Sequence, residues 1–100
     1  MHDNEVELSG QVVAREALRH TPAGIPVLTF VVKHESKQIE GGTSRQVGFE
    51  FEAMAVGEVA QRMEADALQT GRRVHLEGFL ASRSRLSARL VLHVNRFEFE

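Results

Sequence analysis

Arginines are concentrated near the C-terminal end of the chain. Residues 82–96 hold four of them and no acidic side chain, and three lie in the segment SRSRLSAR, residues 82–89. A guanidinium group binds phosphate through two parallel hydrogen bonds and can also stack on a nucleobase. The segment therefore predicts a surface that contacts a phosphate-bearing partner. The alternative interpretation is a solvated loop whose charge only maintains solubility.

A second basic segment lies nearer the N-terminus. It carries Arg15, Arg19 and His20 against a single acid, Glu16. The formal net charge of the whole chain is −2, which excludes a uniformly basic nucleic-acid binder. A nucleic-acid-binding role therefore requires positive charge to be gathered locally, as it is in these two segments.

Other residues oppose this interpretation. Glu35, Glu50 and Glu52 are predicted on outward strand positions, where carboxylates repel a phosphate backbone. Phe79 is the only aromatic residue predicted to face outward, although binding of single strands normally uses several aromatic rings, each worth about 1–3 kcal/mol. The sequence thus supplies the electrostatic part of a single-strand site and little of the stacking part.

Few residues of the chain have the type and spacing that a catalytic site requires. His75 and Glu77, two apart on a predicted strand, could share a face and give a weak metal or hydrolase site, but a polar outer sheet face is the simpler interpretation. The chain has no cysteine, which excludes disulfides, thiolate nucleophiles and cysteine zinc sites. We therefore expect a binding protein with no catalytic residues, no metal and no cofactor.

Size and composition limit the architecture that can position these residues. One hundred residues, of which 42% are hydrophobic and 26% charged, suit one globular domain. No run approaches the roughly 18 apolar residues of a membrane helix, and residues 1–10 lack the pattern of a secretory signal. We expect a cytoplasmic protein that does not bind membranes or a small-molecule substrate.

The period of the hydrophobic pattern predicts five strands and one helix. Alternation with period two marks strands at 5–13, 27–35, 45–56, 72–82 and 89–99. Residues 57–69 change to a helical period, with Gly71 placed as a C-terminal cap. Residues 14–26 and 36–44 are predicted connections. Three strands, a helix and two strands are the order of an all-β, five-stranded Greek-key OB-fold barrel, for which an SH3-like barrel is the main competitor.

The alternation also predicts the core. Phe30, Phe49 and Phe51 are expected to be buried, surrounded by three leucines: Leu76, Leu90 and Leu92. Phe97 and Phe99 have the opposite parity to the start of their strand, so a bulge near residues 95–96 is needed to return them to the core. In this barrel the two basic segments flank the face on which OB-folds bind oligonucleotides.

Several motifs resemble one family along almost the whole chain. They are LSG at 8–10, TPAGIPVLTFVVKHES at 21–36, RQ at 45–46, GFL at 78–80 and LVLHV at 90–94. Their order and spacing are similar to those of the PriB family, the primosomal replication proteins N. The resemblance implies a homodimeric OB-fold related to bacterial single-strand DNA-binding protein. It also implies a role in replication restart, with single-stranded DNA, the PriA helicase and DnaT as partners.

The resemblance also implies particular nucleic-acid-binding residues. Arg19, Arg45 and Arg89 match basic positions that the family uses on DNA. We add the other outward cations of the same region, so the predicted set is Arg19, Lys33, Arg45, Arg83, Arg85 and Arg89. Gly48 and Thr43 stand where the best-known member has stacking Trp and Phe residues.

Two further expectations concern assembly and function. The open edge of the first strand, residues 5–13, is predicted to pair with its copy in a two-fold homodimer, because exposed strand edges favour pairing. The alternative to DNA binding is a protein-interaction module with negligible affinity for DNA.

Overall fold

The chain folds into a closed barrel of antiparallel and parallel strands. A computed structural model describes residues 3–100, and Met1 and His2 lie outside the described residues. The elements are β1 (Val6–Arg15), β2 (Arg19–His20), β3 (Pro26–Glu40), β4 (Thr43–Val56), α1 (Glu58–Ala65), β5 (Arg73–Ser82) and β6 (Leu90–Phe99). The five predicted strands and the helix between the third and fourth of them are confirmed. The predicted connection 14–26 also contains the two-residue strand β2.

The strand order explains the closure. The sheet runs β1-β5-β6-β4-β3-β2, and a further pairing between β1 and β3 joins its ends. β1 pairs with β5 through residues 6–11 and then with β3 through residues 11–15, with a register shift between Val12 and Ala14. This curved first strand and the helix position are those of an OB-fold, so the SH3-like alternative is wrong.

Two glycines allow close approach of neighbouring strands, Gly10 at the closure between β1 and β3 and Gly78 at the register shift between β5 and β6. A Cβ on Gly10 would overlap the carbonyl oxygen of Lys33, and a Cβ on Gly78 would overlap the carbonyl oxygen of His93. Only glycine fits at such close backbone contacts. The LSG and GFL motifs therefore have a packing role that is independent of ligand binding.

The barrel interior follows the predicted alternation. Phe30, Leu76 and Leu92 are at most 1% exposed, and Phe51 packs against the core as a partly buried residue. The buried cluster consists of Val12, Leu28, Phe30, Val32, Ala53, Ala55, Ala60, Met63, Leu68, Val74, Leu76, Leu92 and Val94. A register shift opposite Glu77 and Gly78 leaves Asn95 unpaired, so the predicted bulge is confirmed, and Phe97 and Phe99 do pack against the core.

The burial predicted for Phe49 and Leu90 is wrong. β3 and β4 continue past the barrel as a two-stranded ribbon, because the connection predicted at 36–44 is only a turn at Gly41 and Gly42, with φ of 59° and 78°. Positive φ at both central residues is the pattern of a type I′ hairpin turn. β6 covers β4 only at residues 52–54, so Phe49 lies on the ribbon and is 43% exposed. Leu90 opens β6 next to a loop and is 57% exposed.

The helix ends earlier than its predicted limit at residue 69. It stops at Ala65, and Ala67 takes the left-handed conformation with φ of 60°. The Leu68 N–H donates to the Met63 carbonyl oxygen at 3.0 Å, which is the longer hydrogen bond of a Schellman cap. The prediction that Gly71 caps the helix is therefore wrong. Gly71 instead donates its N–H to Val12, in the connection to β5.

Candidate nucleic-acid interface

The outer face of β3 and β4 forms the floor of the predicted interface. Along β3, Thr29, Val31 and Lys33 face outward, and their register partners on β4 are Met54, Glu52 and Glu50. Half of these six residues are charged, two are apolar and one is a threonine. It lies between the connection that follows β1 and the loop that joins β5 to β6.

The loop between β5 and β6, residues 83–89, is called the Arg loop below. Its base is closed by the Arg83 N–H, which donates to the Arg89 carbonyl oxygen at 2.8 Å. The Ser87 hydroxyl accepts the Arg89 N–H at 3.0 Å and supports the turn. Arg85 and Leu86 therefore stand at the tip, where Leu86 is fully exposed. The closed base holds the arginines in one region of the surface.

Glu52 fastens the Arg loop to the floor. Its side chain is only 12% exposed, and its Oε2 lies 3.0 Å from Arg89 Nη2. Its Oε1 lies 3.4 Å from Arg83 Nη1. The expectation that Glu52 points into solvent and repels phosphate is thus wrong, because the carboxylate is engaged by two cations. Glu50 is exposed, as predicted.

The six predicted cations differ in availability. Lys33 Nζ lies 3.5 Å from Glu35 Oε1, and Arg45 Nη1 lies 2.9 Å from Glu40 Oε1. Arg19 and Arg85 are exposed and make no ion pair with any residue of the part of the chain that is described. The two free cations therefore offer charge to a ligand without first losing a carboxylate partner.

The structure gathers four of the six around one face. Lys33 lies on the floor, and Arg83, Arg85 and Arg89 lie on the adjacent Arg loop. Arg19 lies on β2 at the sheet edge, beside Val27. Arg45 has the parity of Phe49 and pairs in register with Gln38, so it belongs to the opposite face of the ribbon from Lys33. Strand alternation alone could have separated Arg45 from Lys33, because residues 45, 47 and 49 share one face of their strand.

Arg15 does not contribute positive charge to the interface. Its Nη1 donates to the Leu68 carbonyl oxygen at 2.7 Å, and its Nη2 lies 2.8 Å from Glu64 Oε2. The guanidinium group thus binds the C-terminal end of α1 and is only 20% exposed. The basic segment that precedes β3 therefore offers less positive charge to a ligand than its composition indicates.

Two phenylalanine side chains are exposed among residues 3–100, and only Phe79 is predicted to be. Phe79 is 38% exposed and stacks on His93, with ring centroids 5.0 Å apart and planes 5° apart. Phe49 lies 5.1 Å from the His34 ring, on the ribbon. Gly48 supplies no ring opposite Glu35. Rings for base stacking are therefore present at two separate places.

His75 has different partners from the one predicted. Its Nε2 lies 2.7 Å from Glu7 Oε1, and its Nδ1 lies 2.7 Å from the Ser9 hydroxyl, so Glu77 is not its partner. The order Ser–His–Glu resembles a catalytic triad. A second carboxylate, from Glu100, lies 3.4 Å from the same hydroxyl and would repel the oxyanion of acyl transfer. Within residues 3–100 no cluster of metal-binding side chains forms, and no helix is long and apolar enough to cross a membrane.

Comparisons with known proteins agree with this geometry. A model of a single-strand binding protein family matches residues 4–96. The replication restart protein PriB of Nitrosomonas europaea is 41% identical over 91 residues, which are 91% of this chain and 82% of the relative. The solved structure of PriB from Ralstonia solanacearum superposes with a TM-score of 0.83 at 33% identity, over 97% of each chain.

The likeness extends to a more distant group. The single-stranded DNA binding protein from Thermus aquaticus has a TM-score of 0.77 over 97% of this chain and 50% of that chain. At 23% identity this match shows the shared fold alone. The family model, the close relatives and the barrel agree with one another: the chain belongs to the PriB family of replication restart proteins, which have the OB-fold of single-strand binding proteins.

Proposed function

We propose that this chain is a replication restart accessory protein that binds single-stranded DNA across the outer face of β3 and β4. The observation that carries the proposal is the Arg loop, closed at its base and placed beside that face. The backbone of the DNA contacts Arg83, Arg85 and Arg89, with Lys33 on the floor and Arg19 at the sheet edge. Phosphate neutralisation by arginine is independent of base sequence.

The ion pairs affect how tightly DNA is bound. Glu52 and the other carboxylates occupy cations that a phosphate needs, so the DNA exchanges one anionic partner for another. Each exchange gains less free energy than a contact with an unpaired cation. We therefore expect Arg85, which has no acidic partner among the described residues, to contribute more affinity than Arg83 or Arg89. Arg45, on the other face of the ribbon, contributes least to this track.

The partners and the assembly belong to the same proposal. The chain stabilises the PriA helicase on DNA and helps to recruit DnaT, acting in the cytoplasm as a binding protein and not as an enzyme. It does so as a homodimer. The edge of β1 away from β5 has no strand partner over residues 6–10 within the described part of the chain. Unpaired edges of this kind favour strand addition by a second copy.

The experiment compares two arginine variants in a titration of labelled single-stranded DNA. Arg85→Ala is expected to weaken binding severalfold, by a similar factor for different base sequences. Arg73→Ala is the matched control, because Arg73 is also exposed but lies at the opposite end of β5, beside Glu100. The control is expected to bind DNA like the unaltered chain. Equal effects of the two substitutions would contradict the proposal.

A second function is tested by the same variants. The exposed Leu86 at the tip of the Arg loop gives that loop an apolar as well as a cationic character, which suits a protein surface. If Arg85→Ala leaves the affinity for DNA unchanged but weakens the complex with PriA, the Arg loop is a protein-docking surface. The chain is then an interaction module with negligible affinity for DNA.

A further inference from the structure

A cleft opens in the floor beside the Arg loop. It has a volume of about 230 Å³ and lies between the end of β1, the middle of β3 and Glu52. Its lining combines apolar and charged groups: Ala14, Arg15, Glu16, Thr29, Phe30, Val31, Glu52 and Arg89. Sites for drug-sized ligands occupy about 300–1,000 Å³, so this cleft suits a smaller group.

Thr29 gives the cleft an unsatisfied polar group. The residue is 7% exposed, and its Oγ1 has no hydrogen-bond partner in the structure. The backbone carbonyl of Thr29 is satisfied, because it accepts the Glu16 N–H at 2.9 Å. A buried hydroxyl without a partner destabilises a fold, and such groups in native proteins call for an explanation. A ligand that enters the cleft and bonds to this hydroxyl supplies one.

Arg89 and Glu52 form an ion pair in the same cleft as the Thr29 hydroxyl. Both line the cleft, and they are paired with each other at 3.0 Å. The Arg89 side chain is 67% exposed and can turn outward onto a phosphate, whereas Glu52 is 12% exposed and stays in the floor. If Arg89 turned onto the DNA backbone, Glu52 would keep its contacts with Arg83 and would gain room beside Oε2 for a new hydrogen-bond donor.

Glu52 and the Thr29 hydroxyl select the chemistry of the ligand. A carboxylate accepts hydrogen bonds and donates none, whereas the threonine hydroxyl does both. Glu is a known acceptor for the N4 amino group of cytosine, and thymine presents a carbonyl oxygen at the same position. Val31 and Ala14 supply apolar walls for a planar ring.

We propose that this cleft binds one nucleobase of the single strand and prefers cytosine to thymine, with Glu52 accepting the N4 amino group and Thr29 Oγ1 bonded to the ring edge. The proposal rests on the proposed function, because Arg89 must move to a phosphate. It also supplies a base contact that does not require an aromatic ring. Glu52 is then a specificity residue as well as the anchor of the Arg loop.

The test measures binding of oligo-dC and oligo-dT of equal length to the full chain and two variants. The unaltered chain is expected to bind oligo-dC about tenfold more tightly, the size of one good base contact. Thr29→Val removes only the hydroxyl, so the preference should shrink while thermal stability is kept or raised. Thr29→Ser keeps a hydroxyl and should retain the preference. Equal binding of the two oligonucleotides by the unaltered chain would overturn the proposal, as would an unchanged preference in Thr29→Val.

A second measurement separates this proposal from the function on which it rests. Deoxycytidine monophosphate is titrated while the backbone amide signals of Thr29 and Val31 are followed by NMR. Shifts at these amides with dCMP, and not with dTMP, support base recognition by the cleft whether or not Arg85→Ala weakens the binding of oligonucleotides. Absence of such shifts overturns the proposed base binding by the cleft. Tight binding of oligonucleotides without base preference would overturn it too, but would still support DNA binding through phosphate contacts.

Discussion

Two arginines of this chain show how the partners of a side chain decide its role. Arg15 donates to the Leu68 carbonyl at 2.7 Å and pairs with Glu64 at 2.8 Å, so its charge holds α1 against β1. Arg85 stands exposed at the tip of the Arg loop, with no ion pair to any described residue. Sequence composition counts both arginines equally as positive charge. At the residue scale, only the second is available to a phosphate.

The Arg15→Ala substitution tests this division of roles. The guanidinium group makes two charge-assisted contacts at the helix end and is partly shielded from solvent, so its removal is expected to cost about 1–2 kcal/mol of unfolding free energy. The salt dependence of single-stranded DNA binding should stay unchanged, because Arg15 lines the cleft but is already paired and makes no phosphate contact. Urea denaturation gives the first quantity and oligonucleotide titrations at several salt concentrations the second. A stable Arg15→Ala variant with a reduced salt slope would show that Arg15 contacts phosphate.

At the scale of elements, the ribbon formed by β3 and β4 beyond the barrel is the main departure from expectation. Alternation correctly placed Phe30, Phe49 and Phe51 on their strand faces. It does not show at which residue the neighbouring strands stop packing against such a face. β6 pairs with β4 only at residues 52–54 of β4, and β1 pairs with β3 only at residues 30–33 of β3. These are long-range pairings that no local pattern encodes. Phe49 is exposed for that reason.

A pair of alanine substitutions measures the boundary between barrel and ribbon. Phe30→Ala is expected to cost about 3–5 kcal/mol, because Phe30 is 1% exposed in the centre of the core. Phe49→Ala is expected to cost about 1 kcal/mol, because its ring is 43% exposed and contacts mainly His34 and Phe51. Chemical denaturation of both variants provides the comparison. Equal costs would mean that the ribbon face is covered in solution.

The candidate site was partly predictable at this scale. The number of strands, the helix position and the charge of the Arg loop follow from local composition and period. The pairing of Glu52 with Arg83 and Arg89 does not, because it joins residues 31 and 37 positions apart in the sequence. For the same reason the Arg15 contacts with α1 were not foreseen. Arg45 was assigned to the site by resemblance, although its strand parity already placed it with Phe49.

At the scale of the whole molecule, the open edge of β1 carries the expectation of a dimer. His34 Nδ1 donates to the Ser9 carbonyl at 2.7 Å, so the polar groups of Ser9 face the edge away from β5. The backbone N–H of Ser9 points to the same edge, because the N–H and C=O groups of one strand residue point the same way. Assembly through this edge would place two Arg loops on one particle.

The Ser9→Pro substitution tests the dimer without disturbing the pairing of β1 with β5. Proline removes the N–H that faces the open edge, and proline is tolerated on edge strands. We expect sedimentation to give a two-fold homodimer for the unaltered chain and an 11.2 kDa monomer for Ser9→Pro. Ser9→Ala is the control, because it removes the side-chain contacts with His75 and Glu100 but keeps the backbone N–H, and it should remain a dimer. A monomeric unaltered chain at micromolar concentration would rule out the assembly.

The salt dependence of DNA binding tests the central claim most directly. With a net charge of −2, the molecule as a whole repels DNA, so any electrostatic attraction must come from local phosphate contacts. We predict that the logarithm of the affinity for a labelled single strand falls linearly with the logarithm of salt concentration. The slope should be about −1.4 or steeper, the value for two phosphate contacts, and Arg85→Ala should reduce its magnitude by about 0.7. No saturable binding at low salt, or an affinity that does not change with salt, would contradict the account.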